Sequence, residues 1–449
     1  MDYTPKEIVD LLNRSVVGQD NAKRALAIAL RNRYRITKIP DQSLMDKTRR
    51  KNILFVGPTG VGKTELVTCA CNIDNAPFVK SDATKFTEVG YVGRDVESII
   101  QDLIERSISI QKKIRSNMVN SADCENEVYN IIANAILKKL NIPVNIDNIN
   151  TCIADFKSGV HDDLVIEVQV PEKENNPEQL LTPIIDSPVN AGSIATVGVV
   201  PFGDFFKAFS GHKEDKIRRL NARKAFNIIL DNKRASKVDE GLVVDAMKDA
   251  QKRGVVFIDE IDKLVNSKTS SSRGDVSREG VQRDLLPIVE GTVVQTKYGP
   301  FDTKQVLFVS AGAFHSVKPA DLLTELQGRF PIRVNFTSLT TDDFIKILTV
   351  PEFNIITQIK AILNADGVDV VFYDDSIKAI AEYTTQLNSF FENTGARRLY
   401  SVLETVIEEI SFNAPSEKYK QVIIDKKYID EKMKDAFKQN SNKKDNHII

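Results

Sequence analysis

Gly57-Pro58-Thr59-Gly60-Val61-Gly62-Lys63-Thr64 follows directly on the apolar run Asn52-Ile53-Leu54-Phe55-Val56 and leads into a helical pattern from Glu65 onward. The octapeptide fits G-x-x-x-x-G-K-[ST], and each fixed position has a physical reason. Glycines let successive backbone N–H groups turn toward phosphate oxygens with no Cβ in the way. The helix that follows directs the positive end of its dipole at the same anion. Lys63 is placed to reach β- and γ-phosphates, and the Thr64 hydroxyl to ligate Mg²⁺. The apolar run before the loop is short, β-prone and followed by glycines, which predicts a strand buried on both faces of a parallel sheet.

Two more runs read the same way, Gly254-Val255-Val256-Phe257-Ile258 and Val306-Leu307-Phe308-Val309. Buried strands interleaved with amphipathic helices predict an α/β fold, a parallel sheet with helices on both faces. The run at 254–258 ends in Asp259-Glu260. Adjacent acids at the end of a buried strand are unfavourable unless they serve a metal or a reaction. After an upstream P-loop, Asp259 is assigned to the Mg²⁺ shell and Glu260 to the base that polarises the attacking water. Ser310, after the third run, is the candidate sensor of the γ-phosphate.

The two motifs are far apart, with 196 positions between Lys63 and Asp259. A compact P-loop unit needs far fewer. The interval is rich in Asn, Lys and Asp, carries several helical patterns, and contains Pro171–Glu178, which reads as a flexible connector. An inserted, mainly helical domain at 111–243 is therefore expected. Residues 1–110 and 244–335 would form the nucleotide-binding domain, and 336–449 a small C-terminal α+β domain. In the latter, Thr341-Asp342-Asp343 caps the first helix, with edge strands at Val368–Tyr373 and Val422–Ile424. Thr292–Phe301 predicts a hairpin turning at Tyr298-Gly299-Pro300. At the N-terminus, Thr4, Pro5 and Glu7 form a capping-box signature for a first helix.

Composition narrows the function classes. Sixty-one Lys and Arg against 62 Asp and Glu leave a formal charge of −1, so no global attraction to nucleic acid or anionic membrane is expected. Cys69, Cys71, Cys124 and Cys152 make no Cys-x-x-Cys pair and no disulfide framework, which points to a reducing cytoplasmic compartment. No signal core opens the sequence and no apolar run is long enough to predict a membrane span. None of the four histidines lies in a His-Glu-x-x-His motif, and no nucleophile set is evident, so the chain is not expected to cut peptide bonds itself.

These motifs, with several others, carry a family resemblance. Val17–Arg24, the P-loop, Ala83–Arg94, Ile258–Lys263, Asp275–Pro287, Glu325–Arg329 and Gly395–Leu399 together resemble HslU (ClpY), the AAA+ ATPase partners of the HslV threonine peptidase. The likeness covers nearly the whole chain; the inserted segment matches mainly by position. It implies a homohexameric ring that binds ATP and Mg²⁺, takes unfolded or tagged proteins as substrates, unfolds those that are folded, and feeds and activates an HslV-like peptidase. By the same likeness, Val17 contacts the adenine by its backbone, and Gly60, Val61, Gly62, Lys63, Thr64 and Glu65 contact the phosphates. Arg329 resembles an arginine finger reaching a neighbouring subunit's γ-phosphate, with Glu325 at the same boundary. Arg397 resembles the sensor arginine of the small domain, and such roles suit a fixed, always charged fork. Gly90-Tyr91-Val92-Gly93 resembles the pore loop, with Tyr91 and Val92 gripping the substrate. The chain ends Asn446-His447-Ile448-Ile449, where Ile448 and Ile449 offer two apolar residues for docking into peptidase pockets. The alternatives are a nucleic-acid motor of a related clade, disfavoured by the charge balance, and an assembly chaperone without a peptidase.

Overall fold

The computed structural model describes residues 3–48, 50–87, 94–118, 121–171, 215–239, 241–265, 273–415 and 420–434. Tyr91 and Val92, nearly all of the 171–178 connector and the 446–449 ending lie outside the described residues. The chain divides into two compact units, Met1–Gln111 with Val243–Ile449, and Lys112–Leu242.

The first unit begins with α1 (Pro5–Asn13), α2 (Asp20–Ile36), α3 (Gln42–Lys47), β1 (Ile53–Val56), α4 (Lys63–Ile73), β2 (Phe78–Asp82) and α5 (Ser98–Met118). The inserted unit holds α6 (Ser121–Lys139), α7 (Ile146–Lys157), β3 (Val165–Pro171), β4 (Asp215–Asn221) and α8 (Ala222–Asp239). The first unit resumes with α9 (Leu242–Arg253), β5 (Val255–Asp259), α10 (Arg273–Glu290), β6 (Val293–Thr296), β7 (Gly299–Asp302), β8 (Leu307–Gly312), α11 (Thr324–Arg329) and β9 (Ile332–Asn335). Its small C-terminal part comprises α12 (Thr341–Thr349), α13 (Ile355–Ala365), β10 (Asp369–Phe372), α14 (Asp374–Phe390), α15 (Ala396–Asn413) and β11 (Gln421–Ile424).

The central sheet has five strands in the order β2-β5-β8-β1-β9, all parallel. Its apolar runs are continuous because each strand feeds two cores. Ile53, Phe55, Val255, Phe257, Leu307 and Val309 point to one face, where α1, α2 and α4 supply Leu12, Leu26 and Leu66. Leu54, Val256, Ile258 and Phe308 point to the other, against Leu103 of α5 and Leu285 of α10. Period-two alternation thus survives inside runs that look uniformly apolar. The expected third strand ends later than its sequence indicated: β8 continues through Ser310 and Ala311 to Gly312. The hairpin forms, but Gly299 and Pro300 belong to its second strand, β7, opposite Thr296 and Gln295.

In the C-terminal part, Phe344, Ile359, Ile380, Leu403 and Val406 form a separate core within the same compact unit. Strands β10 and β11 pair in parallel as a two-stranded sheet of their own. The first helix is capped by Thr340, one residue before the expected Thr341; Thr340 and Asp343 exchange both bonds of a capping box. Thr4 and Glu7 form such a box at α1. The inserted unit packs α6, α7 and α8 with an antiparallel β3–β4 ribbon around Val128, Ile132, Phe156, Ile166 and Phe226.

Asn52, at the mouth of β1, is buried and binds three main-chain groups. Its Oδ1 accepts from Phe308 N (3.1 Å), and its Nδ2 donates to Arg329 O (3.1 Å) and Val289 O (3.4 Å). It ties β1 to β8 and to the end of α11. Asn52→Ala leaves those groups without a partner, and a loss of about 2–3 kcal/mol is expected, read as a lower urea midpoint of the ATPase unit.

Candidate nucleotide site

The P-loop leaves β1 and enters α4 through glycines with φ of 154° at Gly57, 74° at Gly60 and 90° at Gly62, conformations that side chains rarely adopt. Lys63 is buried, with Nζ donating to Gly57 O (2.5 Å) and Pro58 O (2.8 Å). Burial lowers its pKa; Asp259 and Asp262 oppose the shift, and Arg397 adds to it. Arg397 is therefore within electrostatic reach of the loop although 334 positions away in sequence.

Parallel strands end on the same edge, so β5 delivers Asp259 beside Thr64. Thr64 Oγ1 donates to Asp259 Oδ2 at 3.2 Å, and Lys80 Nζ lies 3.1 Å from the same oxygen. Asp259 Oδ1 accepts from Glu260 N at 3.0 Å. That bond holds Glu260 in the left-handed region (φ 56°, ψ 34°), uncommon for a residue with a side chain. The turn exposes the Glu260 carboxylate to the cleft. Two residues on, buried Asp262 accepts from Ala313 N and Phe314 N, both at 3.2 Å, and pins the chain leaving β8 to the turn leaving β5.

These groups line a cavity of about 690 Å³. Its phosphate-loop and charged lining comprises Thr59–Glu65, Lys80, Asp259, Glu260, Asp262 and Lys263. Its apolar lining comprises Val16, Val17, Leu339, Ile347, Pro351, Phe353 and Ile355, and Arg397 and Tyr400 also line it. A lining of both kinds suits a molecule with an anionic tail and a flat apolar head.

The structure brings Val17, Gly60, Val61, Gly62, Lys63, Thr64, Glu65, Asp259, Glu260 and Arg397 to one cavity. Glu325 and Arg329 do not line it. Arg329 ends α11, where its Nη2 donates to Glu290 Oε1, and Glu325 is exposed on the same helix. Ser310 requires a correction. It lies inside β8, fully buried and away from the cavity, because the strand runs two residues further; Gly312 and Ala313 line the cleft there. Tyr91 and Val92 are outside the described residues, but the chain on either side of them is joined by Thr87 N donating to Arg94 O (3.2 Å).

Lys80, Asp262 and the apolar lining from α12 and α13 were not singled out in the sequence. Lys80 left a faint signal, a cation within a short apolar strand. The others left none, because their roles come from contacts between distant segments. All four cysteines are free, and burial foremost pushes the Cys69 and Cys71 thiols up to about 12, so neither is a thiolate nucleophile.

The donor set fits a hard divalent cation. Among the described residues no group of three or more His, Cys, Asp or Glu could hold a metal alone. Thr64 Oγ1 and Asp259 Oδ2 instead provide two hard oxygens on an open cleft. Mg²⁺ is bound in this way, through one or two protein oxygens plus phosphate oxygens and water.

The P-loop also carries the C-terminal part of the unit. Ala396 N donates to Gly60 O at 2.9 Å. A Cβ on Gly60 would meet Thr394 O at 2.0 Å, and one on Gly395 would meet Gly60 O at 2.6 Å. Main chain meets main chain at this point, and neither position tolerates a side chain.

Comparison with known proteins gives concordant matches. Residues 53–114 match the ATPase family associated with various cellular activities (AAA), and residues 211–346 match the AAA domain (Cdc48 subfamily). The chain is 44% identical to the ATP-dependent protease ATPase subunit HslU of Persephonella marina, covering 97% of this chain and 96% of that protein. It is 42% identical to the HslU of Xanthobacter autotrophicus over 97% of each. It is 41% identical to the HslU of Rickettsia prowazekii over 96% and 94%.

Gly395→Ala places a methyl group against Gly60 O and forces a side chain into a positive φ. ADP affinity is expected to fall at least about tenfold, measured by isothermal titration, as the Arg397-bearing helix is displaced from the loop.

Proposed function

The chain belongs to the HslU family of AAA+ ATPases, and from that membership we propose that it is the ring-forming unfoldase of a two-component protease. In this reading it hydrolyses ATP, unfolds protein substrates and feeds them to an HslV-like threonine peptidase in the cytosol. No helix among the described residues is long and apolar enough to cross a membrane. The observation that carries the reading is the convergence of P-loop, Asp259-Glu260 pair and Arg397 on one cavity, with Arg329 outside it.

The residues divide the work as follows. Lys63 Nζ now donates to two neutral carbonyls. A phosphate oxygen is a stronger, charged acceptor and draws the ammonium to the β- and γ-phosphates. Backbone N–H groups of the loop and the N-terminus of α4 hold the same anion. Thr64 and Asp259 would hold Mg²⁺, which when bound neutralises charge on the β- and γ-oxygens. Asp259 Oδ1 keeps the Glu260 turn in place, and the Glu260 carboxylate takes a proton from the attacking water. Arg397 in cis stabilises the transferring phosphoryl group. Arg329, which does not line its own cavity and pairs with Glu290 in the single chain, is proposed to exchange that carboxylate for the γ-phosphate of a neighbouring subunit. An essential residue supplied in trans requires an oligomer, and a homohexamer is the proposed state. Tyr91 and Val92 are proposed to move substrate along the ring axis as the small part shifts with each hydrolysis.

Glu260→Gln is expected to bind ATP yet slow hydrolysis by about 10²- to 10⁴-fold. Arg329→Ala is also expected to be inactive alone. Mixing the two variants in equal amounts should restore part of the turnover, since a Glu260→Gln subunit still lends Arg329 to a neighbour with intact Glu260. Absence of recovery in assembled mixed rings would overturn the in-trans role. For the function as a whole, the test is peptide cleavage by an HslV-type peptidase with ATP, with and without this chain. Strong ATP-dependent stimulation is expected; an ATPase that gives none would overturn the peptidase partnership.

A further inference from the structure

Phe353 is 76% exposed, yet it lines the nucleotide cavity. It sits in the link between α12 and α13, and the backbone around it is held on both sides. Asn354 N and Asn354 Nδ2 each donate to Pro351 O at 3.1 Å, and Gln358 Nε2 donates to Phe353 O at 2.8 Å. The main chain is therefore anchored while the ring stands in solvent. A large aromatic in that state exposes apolar area that a ligand can cover.

Its neighbours show which part of a ligand that would be. Val16 and Val17 come from the link before α2, Leu339 from the link before α12, Ile347 from α12 and Ile355 from α13. All are aliphatic, and with Phe353 they make up the apolar lining of the cleft. The phosphate-binding groups are the P-loop and its charged neighbours. A nucleotide whose phosphates occupy the P-loop has only its base left to cover the aliphatic lining. A purine ring placed there meets aliphatic side chains, and an aromatic ring is the side chain that stacks on any base; Phe353 and Tyr400 are the aromatics of the lining, and Phe353 is the more exposed.

We propose that Phe353 closes over the nucleobase as a stacking lid and sets how strongly this chain holds the base relative to the phosphates. The inference rests on the nucleotide-site reading above. It differs from it in assigning the base-holding contribution to one exposed side chain of the C-terminal part. Base binding is then linked to the position of that part, since Ile355, two residues after Phe353, and Leu399 of the helix that follows Gly395 belong to one core, and Gly395 meets the P-loop.

The test is isothermal titration of the full-length protein with ADP and, separately, with inorganic tripolyphosphate, for wild type, Phe353→Ala and Phe353→Tyr. Expected is a rise of about tenfold in the ratio of ADP to tripolyphosphate dissociation constants for Phe353→Ala, with the wild-type ratio restored by Phe353→Tyr. An unaltered ratio in Phe353→Ala, with wild type binding ADP normally, overturns the lid and leaves the nucleotide site standing. Equal weakening of both ligands also overturns it, since that marks a general loss of the cleft. Wild type that binds tripolyphosphate but not ADP overturns both the lid and the nucleotide reading.

Discussion

Everything at the site depends on the strands of the central sheet being parallel and ending on one edge. Because β1, β8 and β5 run the same way, the loops that leave them open at the same place. The phosphate loop, the Asp259-Glu260 turn and the Gly312-Ala313 link then meet without any special device. The strand between the two motifs is β8, so Thr64 and Asp259 face each other across its end, and the 3.2 Å bond between them spans 195 positions of sequence. A ligand cleft beyond the carboxyl ends of parallel strands is the general solution for sheets of this kind.

Small polar contacts then refine what the sheet has positioned. Each oxygen of Asp259 serves a different element: one holds the Glu260 turn, the other meets Thr64 and Lys80. Asp262 fixes the exit of β8 to the exit of β5, and Asn52 does the same for the opposite ends of β1 and β8. Buried polar side chains are tolerated in these places because each satisfies main-chain groups that would otherwise be orphaned.

The glycine pair Gly60 and Gly395 is the second constraint. A backbone-to-backbone approach leaves no soft side chain to absorb displacement, so movement of the phosphate loop is transmitted directly to α15 and to Arg397 near its start. A chemical change of fractions of an ångström at the phosphates can thereby become a shift of a packed substructure, the kind of amplification on which hydrolysis-driven motors rely.

The sequence by itself determined the class of fold, the phosphate loop, the acidic pair and the presence of a long insertion. These are properties of local pattern, since G-x-x-x-x-G-K-T, an apolar run ending in Asp-Glu and a composition shift are each complete within a short segment. Family resemblance added Val17 and Arg397, which the fold brings to the cleft, and Glu325 and Arg329, which it leaves outside. Ser310 was misread because a strand's last residue is set by its partners: β8 is prolonged by pairing with β1 as far as Gly312, and two more residues turn a cleft position into a core one. The roles of Asp262, Asn52 and Phe353 left no mark in the sequence, and that of Lys80 only a faint one. Each acts through a neighbour tens to hundreds of residues away or through a cavity shared by several elements, and proximity of that kind is decided by how the strands and helices pack.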